Sequence, residues 1–308
     1  MPRTRAPIVP ATNHKATGRG SMRLVTFHHQ GRTGFGCVEG DRVLDFAPHG
    51  EARSLRDCLP LGPAEWQRLA DAARGSGSLA LAAVRLTAPI PDARKFLALG
   101  GNYASHAAEA EKAGFRRGTA QIWFNKQVSC INGPYDPVVR PKVSHQLDYE
   151  GELGVIIGKD CRYKAGDAVW EHIAGYVVCC DYSVRDWQLR APTHTLGKSF
   201  DTHGPVGPWI VTRDEIPDVH ALDLKLTVNG ELRQSASTAD MIHKIPALIE
   251  ELSTAFTLQA GDILSTGTPA GVGGLFDPPR YLVPGDVVRV EIGSIGHIEN
   301  IVVDEPGA

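Results

Sequence analysis

The feature that most constrains the fold of this chain is a succession of short apolar segments separated by glycine and proline. Short apolar runs bounded by turn residues are typical of strands, whereas helical patterns are few. The 33 glycines and 21 prolines make up 54 of the 308 residues, and their spread indicates many turns between short strands. Because the strands do not alternate regularly with long helices, a doubly wound parallel sheet and a β/α barrel are disfavoured. The sequence therefore predicts a β-rich α+β fold.

The chain divides into three predicted parts. Residues 1–21 lack any apolar period and are expected to be a disordered tail or the product of an upstream start. Residues 22–88 combine short strands with a helical stretch, Pro63 to Arg74, and are expected to form a small N-terminal α+β domain. The stiff segment Ala88-Pro89-Ile90-Pro91 marks the next boundary, so residues 89–308 are expected to form a second, larger domain.

The second domain is predicted to consist mostly of strands. Asn229-Gly230 lies between two strand-like runs and is a strong hairpin signal. Helices are expected at Tyr103 to Ala113, Ser183 to Leu189 and Ile245 to Ser253. Strands are expected at Lys95 to Leu99, Gln121 to Phe124, Tyr149 to Ile157, Ile173 to Cys180, Trp209 to Thr212, Asp223 to Val228, Glu231 to Gln234, Asp262 to Ser265 and Val287 to Ile292.

Charge, apolar runs and cysteines exclude several classes of protein. The 32 Lys and Arg residues nearly balance 35 Asp and Glu residues, and the basic residues are scattered, so no nucleic acid partner is expected. No apolar run approaches the roughly 18 residues of a membrane helix, and the amino-terminal region lacks the apolar centre of a signal peptide. The six cysteines include no CxxC pair, which indicates reduced structural thiols. A cytoplasmic protein with no membrane partner is expected.

Two glutamates in the run from Leu147 to Ile157 are the first candidates for chemistry. The apolar end of this run predicts a strand, and period two places Glu150 and Glu152 on one face, about 7 Å apart at their Cα atoms. Carboxylates that converge beside a buried strand repel each other unless a cation neutralises them or one stays protonated. For an isolated Glu-x-Glu, the alternative is an exposed strand face with two solvated acids.

A second cluster follows the apolar strand that ends at Cys180. Asp181, Arg185 and Gln188 are spaced to share one face of the predicted helix. A carboxylate, a guanidinium and an amide suit a metal ligand beside a clamp for an anionic substrate. The alternative is a helix start in which Asp181 is the N-cap and pairs with Arg185.

A histidine and a glutamate form the third cluster. His106 and Glu109 stand at i and i+3 on a predicted helix and face each other. A carboxylate beside an imidazole orients it and raises its basicity, as a general base acting on water requires; a surface ion pair is the alternative. The polar segment Lys112 to Gly118 suggests a lid.

Lys198 lies in Gly197-Lys198-Ser199-Phe200-Asp201. It is interpreted as a cation near developing enolate charge, and the alternative is an ordinary solvated lysine.

The run Ser265 to Gly274 resembles a phosphate loop but lacks the GK[ST] ending, so a nucleotide is a poor candidate. The histidines and cysteines show no zinc-binding spacing. The candidate ligands are all oxygens, which favours a hard cation.

Five motifs occur in a fixed order between Lys95 and Val303: GGNYxxHxxE, YEGELGVIIG, GYVVxxDYSxRDWQ, GKSFDTHGPVGPW and STGTPAGVG. Together they resemble the fumarylacetoacetate hydrolase family. Each motif alone is weak, but five in the family's order are highly specific. The fumarylacetoacetate-cleaving enzyme itself has an additional acidic ligand just before its catalytic histidine, where this chain has Gly100 to Tyr103. The resemblance is therefore to the acylpyruvate hydrolase-like branch.

The resemblance implies a mixed β-sandwich roll that carries the small N-terminal α+β domain, forms a homodimer and holds Mg²⁺ or Mn²⁺ near its centre. It implies three metal ligands, a water-activating dyad, a lysine in the metal pocket and a set of substrate contacts. In this chain these are Glu150, Glu152 and Asp181 for the metal, His106, Glu109 and Lys198 for catalysis, and Arg185, Gln188, Thr268 and Tyr103 for the substrate.

The implied activity is hydrolysis of a C–C bond in a 2,4-dioxo acid of the acylpyruvate or fumarylpyruvate type. The dyad activates water, and the divalent cation polarises the carbonyl group and stabilises the enolate leaving group. The alternatives are an oxaloacetate-type decarboxylase or isomerase, and a hydrolase or dehydratase of a sugar-derived 2-oxo acid, since these reactions also pass through an enolate. A protein without catalytic activity, in which the acids hold a structural ion, would not need His106, Glu109 and Lys198 together.

Overall fold

The structure, a computed structural model, describes residues 22–112, 114 and 119–307. The predicted tail at residues 1–21 and most of the predicted lid lie outside the described residues. Five α-helices are present in the described part of the chain: α1 Leu55–Cys58, α2 Gly62–Ser76, α3 Ala104–Lys112, α4 Arg185–Gln188 and α5 Ile245–Ala255. None of these helices is long and apolar enough to cross a membrane.

Strands account for most of the regular structure. The described residues form β1 Arg23–His29, β2 Arg32–Glu39, β3 Arg42–Asp45, β4 Ser78–Ala80, β5 Arg85–Leu86, β6 Phe96–Gly100, β7 Ile122–Lys126, β8 Ile131–Asn132, β9 Val138–Arg140, β10 Leu147–Asp148, β11 Gly151–Ile157, β12 Ile173–Cys180, β13 Ser183–Val184, β14 Gly204–Thr212, β15 Asp223–Val228, β16 Glu231–Ser237, β17 Ile263–Ser265, β18 Val287–Ile292 and β19 Gly296–Asp304.

Two large sheets organise these strands. The first runs in the order β4-β3-β2-β1-β14-β12-β11-β17-β6-β7, with β5 on β1 and β8 on β14, and the second runs β16-β15-β18-β19-β9. Most neighbours are antiparallel, but β17 pairs with β6 in parallel, so the first sheet is mixed. The prediction of a β-rich α+β fold is confirmed.

Strand β12 shows how one sequence pattern fills two cores. Successive side chains of a strand point to opposite faces. Tyr176, Val178 and Cys180 accordingly join the core that also contains the inner residues of the second sheet, such as Leu226. Their neighbours point to a second core, which packs against α2 through residues such as Trp66. Because both faces are covered, β12 is apolar throughout and is buried along its whole length.

The N-terminal strands join the same sheet as the rest of the chain. Strand β1 pairs with β14 through Leu24 and Ile210, so one sheet contains strands from both sides of the predicted boundary at residues 88–91. Helix α2 covers one face of this part, with Trp66 and Leu69 buried. The division into domains at residues 88–91 stays a prediction.

The predicted hairpin is confirmed. Strands β15 and β16 pair in antiparallel fashion, and Val228 lies opposite Glu231. Asn229 and Gly230 have φ values of 52° and 81°. A two-residue type I′ turn requires positive φ at both central positions, and Asn-Gly is the sequence that accepts this most easily.

Among the element boundaries that differ from the prediction, two bear on the site. The helix predicted at Ser183 to Leu189 is reduced to α4, because Val184 pairs with Leu147 in a two-stranded sheet and its N–H donates to the Gly197 carbonyl group. Strand β11 begins at Gly151 rather than Tyr149, so Glu150 precedes the strand.

Gly175→Ala should destabilise the protein. An added Cβ at Gly175 in β12 would lie 2.1 Å from the Val211 carbonyl oxygen of the neighbouring strand β14. Overpacking of this kind costs about 1–3 kcal/mol, which denaturant unfolding would measure. Gly75→Ala is the matched control, because nothing lies within 4 Å of its added Cβ and alanine favours the helix in which it stands. Equal stability of the two variants would contradict this account.

Candidate active site and metal centre

Strand register brings the first two predicted metal ligands together. Strands β11 and β12 are antiparallel, with Gly151 opposite Cys180, so the residue before β11 meets the residue after β12. These residues are Glu150 and Asp181, and the Asp181 N–H donates to the Glu150 carbonyl oxygen at 2.8 Å. The two carboxylates therefore start from adjacent backbone positions although they lie far apart in sequence.

Glu152 completes a buried acidic triad. Oxygen atoms of Glu150, Glu152 and Asp181 lie within 4.8 Å of one another, and all three residues are buried. Strand β17 lies beside β11, and the Ser265 hydroxyl and the Gly267 N–H each donate to Glu152 Oε2 at 2.7 Å. The exposed, solvated strand face that was the alternative for these glutamates is therefore excluded.

Two buried lysines neutralise part of this charge. Lys198 Nζ lies 2.8 Å from Glu150 Oε2 and 2.9 Å from Asp181 Oδ2. Lys126, on β7, donates to Asp181 Oδ1 at 2.6 Å and to the Lys198 carbonyl oxygen. Both ammonium groups are buried, so the solvated lysine that was the alternative for Lys198 does not describe it.

The pKa values of the two glutamates are shifted in opposite directions. Burial raises the pKa of Glu150, but the charges of Lys198 and Arg185 outweigh it and hold that pKa well below its usual range. Burial, together with Asp181 and Glu150, raises the pKa of Glu152 to about 8. Among the described residues, Glu152 forms no ion pair. It is therefore the member of the triad whose ionised form the neighbouring cations stabilise least.

This arrangement fits a divalent cation. All three donors are carboxylate oxygens, which a hard cation such as Mg²⁺ or Mn²⁺ prefers. A cation beside Glu152 would stabilise its ionised form and so oppose the increase in pKa that burial and the two neighbouring carboxylates cause. Glu150, Glu152 and Asp181 are the residues that would hold it.

Arg185 reaches the triad from α4, but not along the predicted helical face. Its Nε lies 2.8 Å from Asp148 Oδ2, and its Nη1 lies 2.6 Å from Glu150 Oε1. Nη1 also donates to Gln188 Oε1 at 2.9 Å. Asp181 lies outside α4 and pairs with the two lysines, so it neither caps this helix nor pairs with Arg185, as the alternative interpretation requires.

The predicted dyad forms on α3. His106 Nδ1 lies 3.2 Å from Glu109 Oε2, so this nitrogen carries the proton when the imidazole is neutral and Nε2 is left as the basic atom. Glu109 also accepts the Gly271 N–H, at 3.1 Å to Oε1. The glutamate therefore orients the histidine and attaches α3 to the loop that follows β17.

One residue of the dyad and one of the triad line the same cavity, which has a volume of about 380 Å³. His106, Glu150, Arg185 and Lys198 line it. The remaining walls are mostly apolar, as in typical small-molecule sites. The apolar lining comprises Leu99, Ala107, Ala110, Ile122, Phe124, Leu189, Val272 and Leu275, and the further polar lining comprises Gln146, Gln188, His194, Thr268 and Tyr281.

The remaining two predicted substrate contacts have different positions. Thr268 lines the cavity, and its hydroxyl donates to the Gly151 carbonyl oxygen at 3.0 Å while it accepts from Gln234. Tyr103 is fully buried, forms a backbone bridge with Met241 and is not part of the described cavity lining. Contact between Tyr103 and substrate stays a prediction.

The carboxyl-terminal two-thirds of the chain identifies its family. Residues 95–303 match the fumarylacetoacetate (FAA) hydrolase C-terminal model, and this span holds the triad, the dyad and both lysines. The chain belongs to the fumarylacetoacetate hydrolase family. The β-rich fold described above, with two large sheets of which the first is mixed, is the fold of solved relatives in this family.

Two relatives that resemble the chain over most of its length are named oxaloacetate tautomerases. It is 36% identical over 304 residues to the mitochondrial oxaloacetate tautomerase fahd2 of Xenopus laevis, covering 96% of this chain and 94% of that one. It is 41% identical to the oxaloacetate tautomerase YisK of Bacillus subtilis over 267 residues, 86% of this chain and 84% of that one.

A solved hydrolase bears on the metal. The crystal structure of maleylpyruvate hydrolase from Sphingobium sp. SYK-6 with manganese(II) and pyruvate has a TM-score of 0.74 and 34% identity, and the match covers 92% of this chain and 99% of that one. Together with the buried triad, this complex indicates a divalent-metal site in this member of the fumarylacetoacetate hydrolase family.

Sequence reasoning missed Lys126, although a signal for it exists. In the second half of β7, Phe124 and Lys126 are buried and Asn125 between them is exposed, so Lys126 lies on the same inward face as Phe124. A lysine at an inward position of a strand requires a carboxylate partner. Gln146, His194 and Tyr281 were also missed, because they lie in loops and reach the cavity only through the tertiary fold.

Proposed function

We propose that this enzyme is a Mg²⁺- or Mn²⁺-dependent hydrolase that cleaves a C–C bond in a 2,4-dioxo acid of the acylpyruvate or fumarylpyruvate type. The observation that carries the proposal is the contact between His106 and Glu109 on the wall of the cavity that also exposes Glu150 and Lys198. A hydrolase needs a base for water beside a site that stabilises an enolate, and the cavity offers both.

The cation, when bound by the triad, supplies positive charge that stabilises an enolate. His106 takes a proton from water at Nε2, since Glu109 holds Nδ1. The hydroxide attacks the C4 carbonyl carbon of the 2,4-dioxo acid, and the bond between C3 and C4 breaks with its electron pair on C3. His106 then returns the proton to C3, so the products are a carboxylic acid and pyruvate. Lys198 keeps a buried positive charge beside the reacting oxygens.

A second candidate is keto–enol tautomerisation of oxaloacetate. Two relatives that match most of the chain are named oxaloacetate tautomerases, so they support this activity about as well as the maleylpyruvate hydrolase structure supports hydrolysis. It needs a base that removes a proton from C3 and returns it to oxygen, and His106 has the geometry for this too. No attacking water is required.

The two functions are separated by one pair of assays on the Mg²⁺-loaded and Mn²⁺-loaded enzyme. Hydrolysis of acetylpyruvate and fumarylpyruvate is measured as the release of pyruvate. Tautomerisation of enol-oxaloacetate is measured as the loss of its ultraviolet absorbance. The hydrolase proposal expects pyruvate release at a higher kcat/KM than tautomerisation. Tautomerisation without any pyruvate release would overturn the hydrolase proposal and leave the second candidate.

Arg185→Lys should lower kcat/KM about 10- to 100-fold. The guanidinium makes three hydrogen bonds in a fixed plane, to Asp148, Glu150 and Gln188, which an ammonium group cannot reproduce. Loss of one charge-assisted hydrogen bond is worth about 1.5–3 kcal/mol, and each 1.4 kcal/mol is a factor of about ten. If Arg185 only steadied α4, kinetics would stay unchanged and only the melting temperature would fall, so both are measured.

A further inference from the structure

Asp148 is a buried carboxylate at the edge of the cavity that neither the triad nor the dyad includes. It ends β10 and is inaccessible to solvent. Its Oδ1 accepts the N–H groups of Tyr149 at 2.9 Å and Gly273 at 2.7 Å. Its Oδ2 accepts the Gly274 N–H at 2.8 Å and Arg185 Nε at 2.8 Å. One side chain therefore joins Arg185 to the loop at residues 272–275.

The loop is built to let this carboxylate approach. An added Cβ at Gly273 would lie 2.6 Å from Asp148 Oδ1, and one at Gly274 would lie 3.2 Å from Oδ2 and 3.5 Å from Arg185 Cγ. Gly273 therefore needs the small size of glycine, whereas a Cβ at Gly274 would press on the carboxylate only mildly. Val272, Gly274 and Leu275 also line the cavity, so the carboxylate holds part of the cavity wall.

The position of Arg185 follows from its partners. Asp148 holds Nε, while Glu150 and Gln188 hold Nη1, which defines the plane of the guanidinium. Nη2 is buried and has no hydrogen-bond partner among the described residues. Buried guanidinium nitrogens are normally paired. Nη2 is therefore the atom left for a ligand oxygen.

We propose that Asp148 is a positioning residue that aims Arg185 at the carboxylate of the substrate and fixes the loop at residues 272–275 against it. This inference rests on the proposed function in so far as the substrate is a 2-oxo acid. Asp148 touches no substrate itself. All four of its partners are donors, so a residue that must donate cannot replace it.

Asp148→Asn is the decisive variant. Asparagine keeps the shape but turns one oxygen into an NH₂ group, which would face two N–H donors whichever way the amide is placed. Changes in the partners of site residues typically cost about 10- to 100-fold in activity. We expect kcat/KM to fall by such a factor, mainly through KM, because Arg185 would bind the carboxylate before and during reaction.

A double-mutant cycle separates positioning from a merely structural role. Asp148→Asn is measured in the wild type and in the Arg185→Lys background, on kcat/KM for acetylpyruvate or enol-oxaloacetate and on the Kd for oxalate with Mg²⁺ present. We expect Asp148→Asn to cost less than about threefold in the Arg185→Lys background, because its effect acts through the guanidinium. The same loss in both backgrounds would overturn the proposal. A structural role moves melting temperature but not this coupling.

Two controls keep the outcome interpretable. Asp186→Asn makes the same change on α4 at a residue that accepts from Ser144, and it should leave kcat/KM and Kd unchanged. If Asp148→Asn does not fold, Gly274→Ala presses on the same carboxylate mildly, and it should raise KM and the oxalate Kd in the same direction. Unchanged KM and Kd in a folded Gly274→Ala variant would overturn the proposal.

The readouts also separate this proposal from the proposed function. Coupled loss of oxalate binding in an enzyme that turns over neither substrate would refute the function and support the role of Asp148. Turnover of a 2,4-dioxo acid, with additive losses for Asp148→Asn and Arg185→Lys, would support the function and refute the role of Asp148. Neither turnover nor oxalate binding in the wild type would overturn both.

Discussion

Treatment with a chelator is expected to abolish turnover, and added Mg²⁺ or Mn²⁺ is expected to restore it. The expectation rests on the triad, whose carboxylate oxygens lie within 4.8 Å of one another in a buried site. Without a cation these carboxylates repel one another, and burial together with this repulsion raises the pKa of Glu152. Elemental analysis and activity after dialysis measure the effect. Full activity in excess chelator, with no metal in the protein, would refute the assignment.

Glu152→Gln tests the same centre at one residue. Glu152 forms no ion pair among the described residues, so removing its charge leaves Lys126, Lys198 and Arg185 with their partners. We expect Mn²⁺ affinity to fall by more than about 100-fold, beyond the usual effect of changing a residue outside the ligand set. The metal-free melting temperature, measured above about pH 8 where Glu152 is ionised, should not fall, since a repulsive charge disappears while the volume is kept.

The control for this variant is Glu251→Gln, the same change at an exposed position of α5. It should leave both metal affinity and the melting temperature unchanged. Calorimetry of Mn²⁺ binding gives the affinity, and thermal unfolding with and without Mn²⁺ gives the stability. Equal Mn²⁺ affinity in the two variants would exclude Glu152 as a ligand.

His106→Ala is expected to lower hydrolysis by at least about 100-fold, the usual size of a general-base contribution. The reason is geometric: His106 lines the cavity, and its contact with Glu109 leaves Nε2 as the basic atom. Pyruvate release under single-turnover conditions measures the chemical step. His28→Ala, at an exposed position of β1, is the matched control and should change nothing.

Glu109→Gln refines this test. Glu109 accepts from both His106 and the Gly271 N–H, whereas glutamine offers one carbonyl oxygen and adds a donor. We expect a smaller loss of hydrolysis than for His106→Ala, because the imidazole stays in place on α3 but loses the carboxylate that orients it. Hydrolysis that survives His106→Ala unchanged would refute the water-activating role.

Much of the fold could be predicted because its signals are local. The hairpin at Asn229-Gly230 depends on two adjacent residues that tolerate positive φ, and the apolar run of β12 depends on successive side chains that alternate between two cores. The start of helix α4 could not be predicted in this way. The first two residues of the predicted helix, Ser183 and Val184, form β13 instead, because pairing with Leu147, far away in sequence, competes with the helix for backbone hydrogen bonds.

The sequence by itself determined the β-rich class, the acidic residues and the dyad, since the i, i+3 spacing of His106 and Glu109 brings them together within one helix. Only the tertiary structure decided the environment of the acids. The antiparallel register of β11 and β12 places Glu150 beside Asp181, and the sheet edge brings in Lys126. The physical reason is range: helical spacing acts over one turn, whereas charge compensation in a buried site depends on strands that meet only after the sheet has formed.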